Sequence, residues 1–158
     1  MKTWGLGYKK AKQKAKQIYS AIGHIPCPAL GDEIIAFTGV GFSHLVRKGR
    51  MPRTRNEQKK RFVLIPYIEK MIQNPRAVIE YRRTEEKILI NRHGEQILIA
   101  SVAEFWTFVE QIDDCGVKVV IRKLSTGGPK HFFSVMGDNV EIDRSQKGHI
   151  KNKKSRPK

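Results

Sequence analysis

One imidazole, that of His44, lies in the stretch Phe37-Thr38-Gly39-Val40-Gly41-Phe42-Ser43-His44-Leu45-Val46-Arg47-Lys48-Gly49-Arg50-Met51-Pro52-Arg53. An unperturbed imidazole titrates near neutrality, so it can take or give a proton at working pH. The arginines that follow it, Arg47, Arg50 and Arg53, carry planar forks that fit phosphate oxygens and keep their charge. Glycines at 39, 41 and 49 loosen the backbone between them. Such a set can hold a phosphodiester and move a proton beside it. The same residues also suit a solvated basic loop with one surface histidine, and the rest of the chain has to separate the two.

A second group of polar side chains falls in Lys130-His131-Phe132-Phe133-Ser134-Val135-Met136. Read as a strand, its alternation puts Lys130, Phe132, Ser134 and Met136 on one face and His131, Phe133 and Val135 on the other. A bulge, or reversed faces, would bring His131 into the polar set instead. Lys130 and Ser134 can together reach a phosphate. So can Lys118 and Arg122 on the preceding apolar run, Val117-Lys118-Val119-Val120-Ile121-Arg122-Lys123.

The elements that must position these groups are written in periodicity and punctuation. Ala11, Ala15, Ile18 and Ile22 share one face of a helix over 8–22, with lysines on the others and Gly23 as its stop. Ile34-Ile35-Ala36-Phe37-Thr38 is a short buried strand leading into the His44 stretch. Thr54-Arg55-Asn56-Glu57 forms a capping box, and Phe62, Ile65, Ile68 and Ile72 continue a helical stripe. Pro66 must kink that helix or begin a second one, and Asn74-Pro75 ends it.

Strands follow: Ala77–Arg82, then a charged turn, then Ile88–Asn91. The turn Arg92-His93-Gly94-Glu95 leads into Gln96–Ala100 as a hairpin partner. Ser101-Val102-Ala103-Glu104 matches a second capping box, predicting a helix whose Val102, Phe105, Val109 and Ile112 face the sheet. The runs at 117–123 and 130–136, joined by Ser125-Thr126-Gly127-Gly128-Pro129, complete an antiparallel pair. The expected fold is α+β: N-terminal helices, then an antiparallel sheet of four or five strands with a helix packed on it.

Composition narrows the function classes. With 31 Lys+Arg against 15 Asp+Glu the formal charge is +16 over 158 residues, an electrostatic balance that speaks for a polyanionic partner, nucleic acid first. The basic stretches lack the large apolar opposite face of a membrane-surface helix, and no apolar run is long enough to span a bilayer. The chain reads as one that acts in a cytoplasm, made there or delivered there. Cys27 and Cys115 make no disulfide framework and are expected as thiols. His24-x-x-Cys27 is half of a zinc set with no second half, and acidic residues are not clustered, so neither a metal nor another cofactor is expected. Residues 1–33 form a basic helical segment, 34–137 the α+β core, and 138–158 a basic, apolar-poor tail expected to be disordered.

The order of these signatures resembles the barnase–EndoU–colicin–RelE-like superfamily of metal-independent ribonuclease toxins, in its phage- and contact-toxin-associated branch. The likeness runs from Ile34 to Met136 and is carried by Gly41-Phe42-Ser43-His44-Leu45-Val46-Arg47, Ile72-Gln73-Asn74-Pro75, Val117–Ile121 and Lys130–Val135. It implies a nuclease-like core that cleaves tRNA or another structured RNA by attack of the 2′-hydroxyl on its own phosphate. It further implies His44 as the proton-transfer residue and Arg47 or Arg50 steadying the phosphate. Lys130 and Ser134 would complete the site, with Arg53, Lys118, Arg122 and His131 as substrate contacts. An acidic immunity protein or antitoxin is the implied partner. The alternatives are a basic RNA- or DNA-binding module without chemistry and, less favoured by the residues, a metal-dependent nuclease.

Overall fold

The computed structural model describes residues 1–144. It begins with helix α1 (Tyr8–Ile22), whose Ala11, Ala15 and Tyr19 are buried while Lys9, Lys10, Lys14 and Lys16 stay exposed. Two alanines on the buried stripe let the next helices approach closely. Strand β1 (His24–Cys27) and strand β2 (Glu33–Ala36) pair antiparallel around a 3-10 turn at Pro28–Leu30. The glycine-rich stretch, expected as a loop, is instead helix α2 (Gly39–Val46), followed by a miniature hairpin of β3 (Arg47–Lys48) and β4 (Met51–Pro52).

Helix α3 (Arg55–Phe62) is capped by Thr54, whose hydroxyl accepts from the Glu57 amide at 3.2 Å. Helix α4 (Ile65–Gln73) starts afresh with Pro66 in its first turn, where a missing N–H costs nothing. Four strands complete the chain: β5 (Val78–Arg92), β6 (Glu95–Ile112), β7 (Cys115–Leu124) and β8 (Gly127–Gly137).

They form one six-stranded sheet in the order β1-β2-β8-β7-β6-β5. The architecture is α+β, with a sheet that differs from the expected four or five antiparallel strands. β1 and β2 join it, and β2 runs parallel to β8 through the single pair Ala36↔His131, making the sheet mixed. Helices α1, α3 and α4 cover one face over Phe108, Val117, Val119, Ile121, Phe132 and Val135, all essentially inaccessible to solvent. Residues of the 1–33 segment, including Ala11, Ala15, Tyr19, Ile25 and Cys27, belong to that same core. Cys27 and Cys115 are buried free thiols.

Two further expectations are corrected. The helix predicted over 102–112 is the second half of β6, paired with β5 through Val109 and with β7 through Ile112. Its apolar residues satisfy both periods. The choice falls to the β-branched and aromatic side chains between Val102 and Ile112, which fit a pleated surface better than a helix. Ser101, read as a helix cap, instead lies 3.3 Å from the Ser125 hydroxyl across the sheet. The charged turn between two strands does not exist either: Arg83–Lys87 run straight through β5, opposite Glu104–Ala100 of β6. Of the 138–158 segment, residues up to 144 are ordered against the N-terminus, with Val140 buried and Glu141 exchanging backbone hydrogen bonds with Met1 and Thr3. The expectation for 145–158 falls outside the described residues.

Candidate active site

β2 leaves the edge of β8 after Ala36↔His131, and α2 takes its place there. Gly41 lets this happen. A Cβ on it would sit 2.7 Å from the Phe132 carbonyl oxygen and 2.5 Å from the Tyr19 hydroxyl. The Tyr19 hydroxyl in turn donates to the Thr38 carbonyl at 2.6 Å, holding the start of α2. With α2 this close, the His44 ring packs on Phe133 at 4.2 Å between centroids.

A bulge in β8 decides which side chains join it. Val120 pairs with Ser134 but Ile121 with Phe132, so Phe133 is the extra residue. The slip reverses the side to which the earlier residues of the strand point. His131, opposite Arg122, therefore shares the uncovered face of the sheet with Ser134. Lys130 goes to the other face, where its ammonium pairs with Glu33 and lies 4.6 Å over the Trp106 ring. Lys130 is thus buried away from His44 and does not join the site that the regular alternation assigned to it.

On the open face the guanidiniums are held by one edge each. Arg122 lies 4.4 Å over the Phe133 ring and donates its Nε to His131 Nε2 at 3.0 Å. Arg53 donates its Nε to the His44 carbonyl at 3.0 Å, while Gln58 Nε2 holds the Arg53 carbonyl at 2.9 Å. Among the described residues, no hydrogen bond occupies the terminal nitrogens of either arginine, a geometry that a bidentate anion would fit. Arg61, from α3, donates to the Ser134 hydroxyl at 3.3 Å and to the Val135 carbonyl at 2.6 Å, on the edge that β2 has vacated. Burial and then repulsion from Arg53 lower the Arg61 pKa. Arg53, Arg61, Arg82, Lys118, Phe133 and Ser134 line a groove of about 590 Å³ that runs on across the sheet past Glu80 and Thr107.

The two imidazoles have different freedom. His131 Nε2 accepts from Arg122, which leaves the proton on Nδ1, 3.3 Å from the Pro129 carbonyl. That ring is a clamp for Arg122. Among the described residues, no hydrogen bond engages the His44 ring nitrogens. Burial first, then the charges of Arg122 and Arg53 and the nearby His131, hold His44 below the ordinary imidazole value. His131 is lowered by burial and by Arg122, against a partial rise from Pro129.

Both groups therefore bind fewer protons folded than unfolded near pH 6. Their contribution to stability is complete above about 6.5 and is lost as pH falls through their depressed values. NMR titration should find His44 titrating below about 6.5, and inorganic phosphate should raise its pKa by stabilising the imidazolium. Titration at or above the ordinary value, without response to phosphate, would contradict this electrostatic picture.

Arg47 and Arg50 sit exposed on the β3–β4 hairpin and do not line the groove. Lys118 does line it, on the same face as Ser134. Thus His44, Arg122 and His131 gather around Phe133 at the end of the groove, Arg53, Lys118 and Ser134 line the groove itself, and Lys130 on the other face and Arg47 and Arg50 on the exposed hairpin stay apart from both. Arg61 was not distinguishable in the sequence, because nothing local separates it from Lys59 and Lys60 beside it. Arg82, 4.6 Å over the Phe105 ring, was read within the strand Ala77–Arg82 but not as a site residue, because one arginine at a strand's end carries no local signal. Among the described residues, no three His, Cys, Asp or Glu side chains cluster closely enough to hold a metal ion, and no helix is long and apolar enough to cross a membrane. No family model, curated protein or solved structure matches the chain.

Proposed function

We propose that the protein is a metal-independent endoribonuclease acting on structured RNA such as tRNA. The observation that supports this best is a neutral, unengaged imidazole at His44 set between two arginines, each tethered by one nitrogen and open at its tip. In this reading Arg53 and Arg122 grip the non-bridging oxygens of one phosphate. His44 accepts the proton of the adjacent 2′-hydroxyl as that oxygen attacks phosphorus. The products are a 2′,3′-cyclic phosphate and a 5′-hydroxyl, whose oxygen is reprotonated from solvent on the open face of the sheet. The guanidiniums stabilise the extra negative charge of the transition state. Arg61 holds Ser134 and the free edge of β8 in place, and Lys118 and Arg82 carry the flanking phosphates. A ribonuclease of this kind calls for a tightly binding acidic protein in the cell that makes it, and the strongly positive groove suits one.

The test is incubation of total RNA in EDTA with analysis of the product ends. Cleavage leaving cyclic phosphates is expected. Intact RNA, bound with an affinity that falls steeply with salt, would favour the second reading, a binding module. The exposed lysines of α1, which lie outside the groove, are what speak for that alternative.

A further inference from the structure

β5 is the open edge of the sheet: fifteen residues long, paired only with β6. Long exposed edges normally invite pairing with another chain. The backbone phase of this edge can be worked out. His93 and Gly94 both have positive φ (55° and 80°), so the β5–β6 loop is a two-residue primed turn, closed by Arg92↔Glu95. The closing pair of such a turn is hydrogen-bonded, and the bonds alternate along the ladder. The register from Arg92↔Glu95 to Val78↔Val109 is unbroken. Even-numbered residues of β5 therefore point their N–H and C=O groups at β6, and odd-numbered ones point theirs outward.

Two copies joined antiparallel along this edge must pair odd with odd residues, which puts the two-fold axis on a residue. An axis through residue 82, 83, 85, 86 or 87 sets a charged side chain against its own copy. An axis through Thr84 does the opposite. It places Arg82 opposite Glu86 of the second copy, Arg83 opposite Glu85, and Thr84 opposite itself. It also sets Val78 against Ile90 and Ile79 against Leu89. Val78 and Leu89 are 66% and 61% exposed in the single chain, so this register sets the two bare aliphatic side chains of the strand against apolar partners, while the third exposed one, Tyr81, falls opposite Lys87. Among the described residues, Thr84 Oγ1 is the buried side-chain atom without a hydrogen-bond partner. On the axis Thr84 falls in a non-hydrogen-bonded pair, where side chains lie closest, and a rotation about its χ1 would turn this hydroxyl toward that of the other copy.

We propose that the protein forms a two-fold symmetric dimer through antiparallel β5–β5 pairing centred on Thr84, giving a continuous twelve-stranded sheet (two six-stranded sheets). The operator lies across the sheet plane, so both grooves open on the same side. A single nucleic acid then faces two copies of the site. The dimer stands independently of the nuclease reading.

The experiment is the mass in solution of the full chain over a concentration series, with enough salt to screen repulsion between two highly positive molecules. Wild type should go from one copy to two. Arg82→Glu/Arg83→Glu alone, and Glu85→Arg/Glu86→Arg alone, should each stay at one copy, because like charges then surround the axis. Mixed in equal amounts they should associate, since every charged pair across the axis is again opposite in sign. Should a charge-reversed chain fail to fold, Arg83→Pro removes an outward N–H while leaving the β6 ladder intact, and it too should be a single copy. A wild type that stays at one copy overturns the proposal. So do variants that dimerise by themselves, or a mixture of two folded variants that does not associate.

Discussion

His44→Ala should lower RNA cleavage by about 10²–10⁴-fold while the chain stays folded. The expectation rests on the absence of a substitute. His131 lies close by, but both its nitrogens are taken by Arg122 and the Pro129 carbonyl, and protonating it would release Arg122. Stability should fall little, by about 0.5–1.5 kcal/mol for the lost ring contact with Phe133, because His44 is only half-buried and its carbonyl still accepts from Arg53. Thermal melting beside a cleavage assay in EDTA separates the two effects. Equal cleavage by wild type and variant would remove His44 from the chemistry. Lost cleavage accompanied by collapse of the melting transition would mean that the residue is structural.

Gly41→Ala should be the most damaging single methyl group in the molecule. The new carbon would meet Tyr19 Oη at 2.5 Å, Phe132 Cδ1 at 2.6 Å and the Phe132 carbonyl at 2.7 Å. The carbonyl belongs to a strand held on its other side by β7 and cannot swing aside. Alanine gains about 0.5–1 kcal/mol over glycine as a helix residue, but overpacking of this sort costs about 1–3 kcal/mol or more. The steric loss wins. Relief comes only by moving α2 outward, which lifts His44 off Phe133, and a displacement near 1 Å is worth about 10²-fold in rate. Melting temperature and cleavage should therefore both fall. Gly39→Ala, with nothing within 4 Å of the added carbon, is the control and should be neutral or slightly stabilising. A Gly41→Ala chain as stable and active as wild type would refute the close approach of α2 to β8.

Much of this architecture was legible in the chain. Local rules carried α1, with its alanine stripe and Gly23 stop, as well as the Thr54 cap and the new helix at Pro66. The His93-Gly94 hairpin and the β7–β8 pair followed from the same kind of evidence. Each depends on neighbours a few residues apart. The errors arose where one pattern satisfies two periods. Ser101-Val102-Ala103-Glu104 matches a cap, yet its residues continue a strand, because β5 was available to pair with all four and β7 with the last two. The charged run at 83–87 looked like a turn, although β6 supplies a partner for every residue in it.

The candidate site divides in the same way. That an imidazole near neutrality and a surplus of guanidiniums belong together on an anion-binding surface follows from residue types alone. Which of them meet does not, because one unpaired residue in β8 inverts the strand before it. That bulge brings His131 to the open face, beside Arg122, and turns Lys130 to the other, against Glu33 and Trp106. Composition therefore determined the chemistry the protein could attempt, and short-range periodicity determined most of its elements. The register of β8 against β7, and the early departure of β2 that admits α2, were decided only by packing. Both turn on contacts between residues far apart in the chain, where alternation counted along one strand has no force.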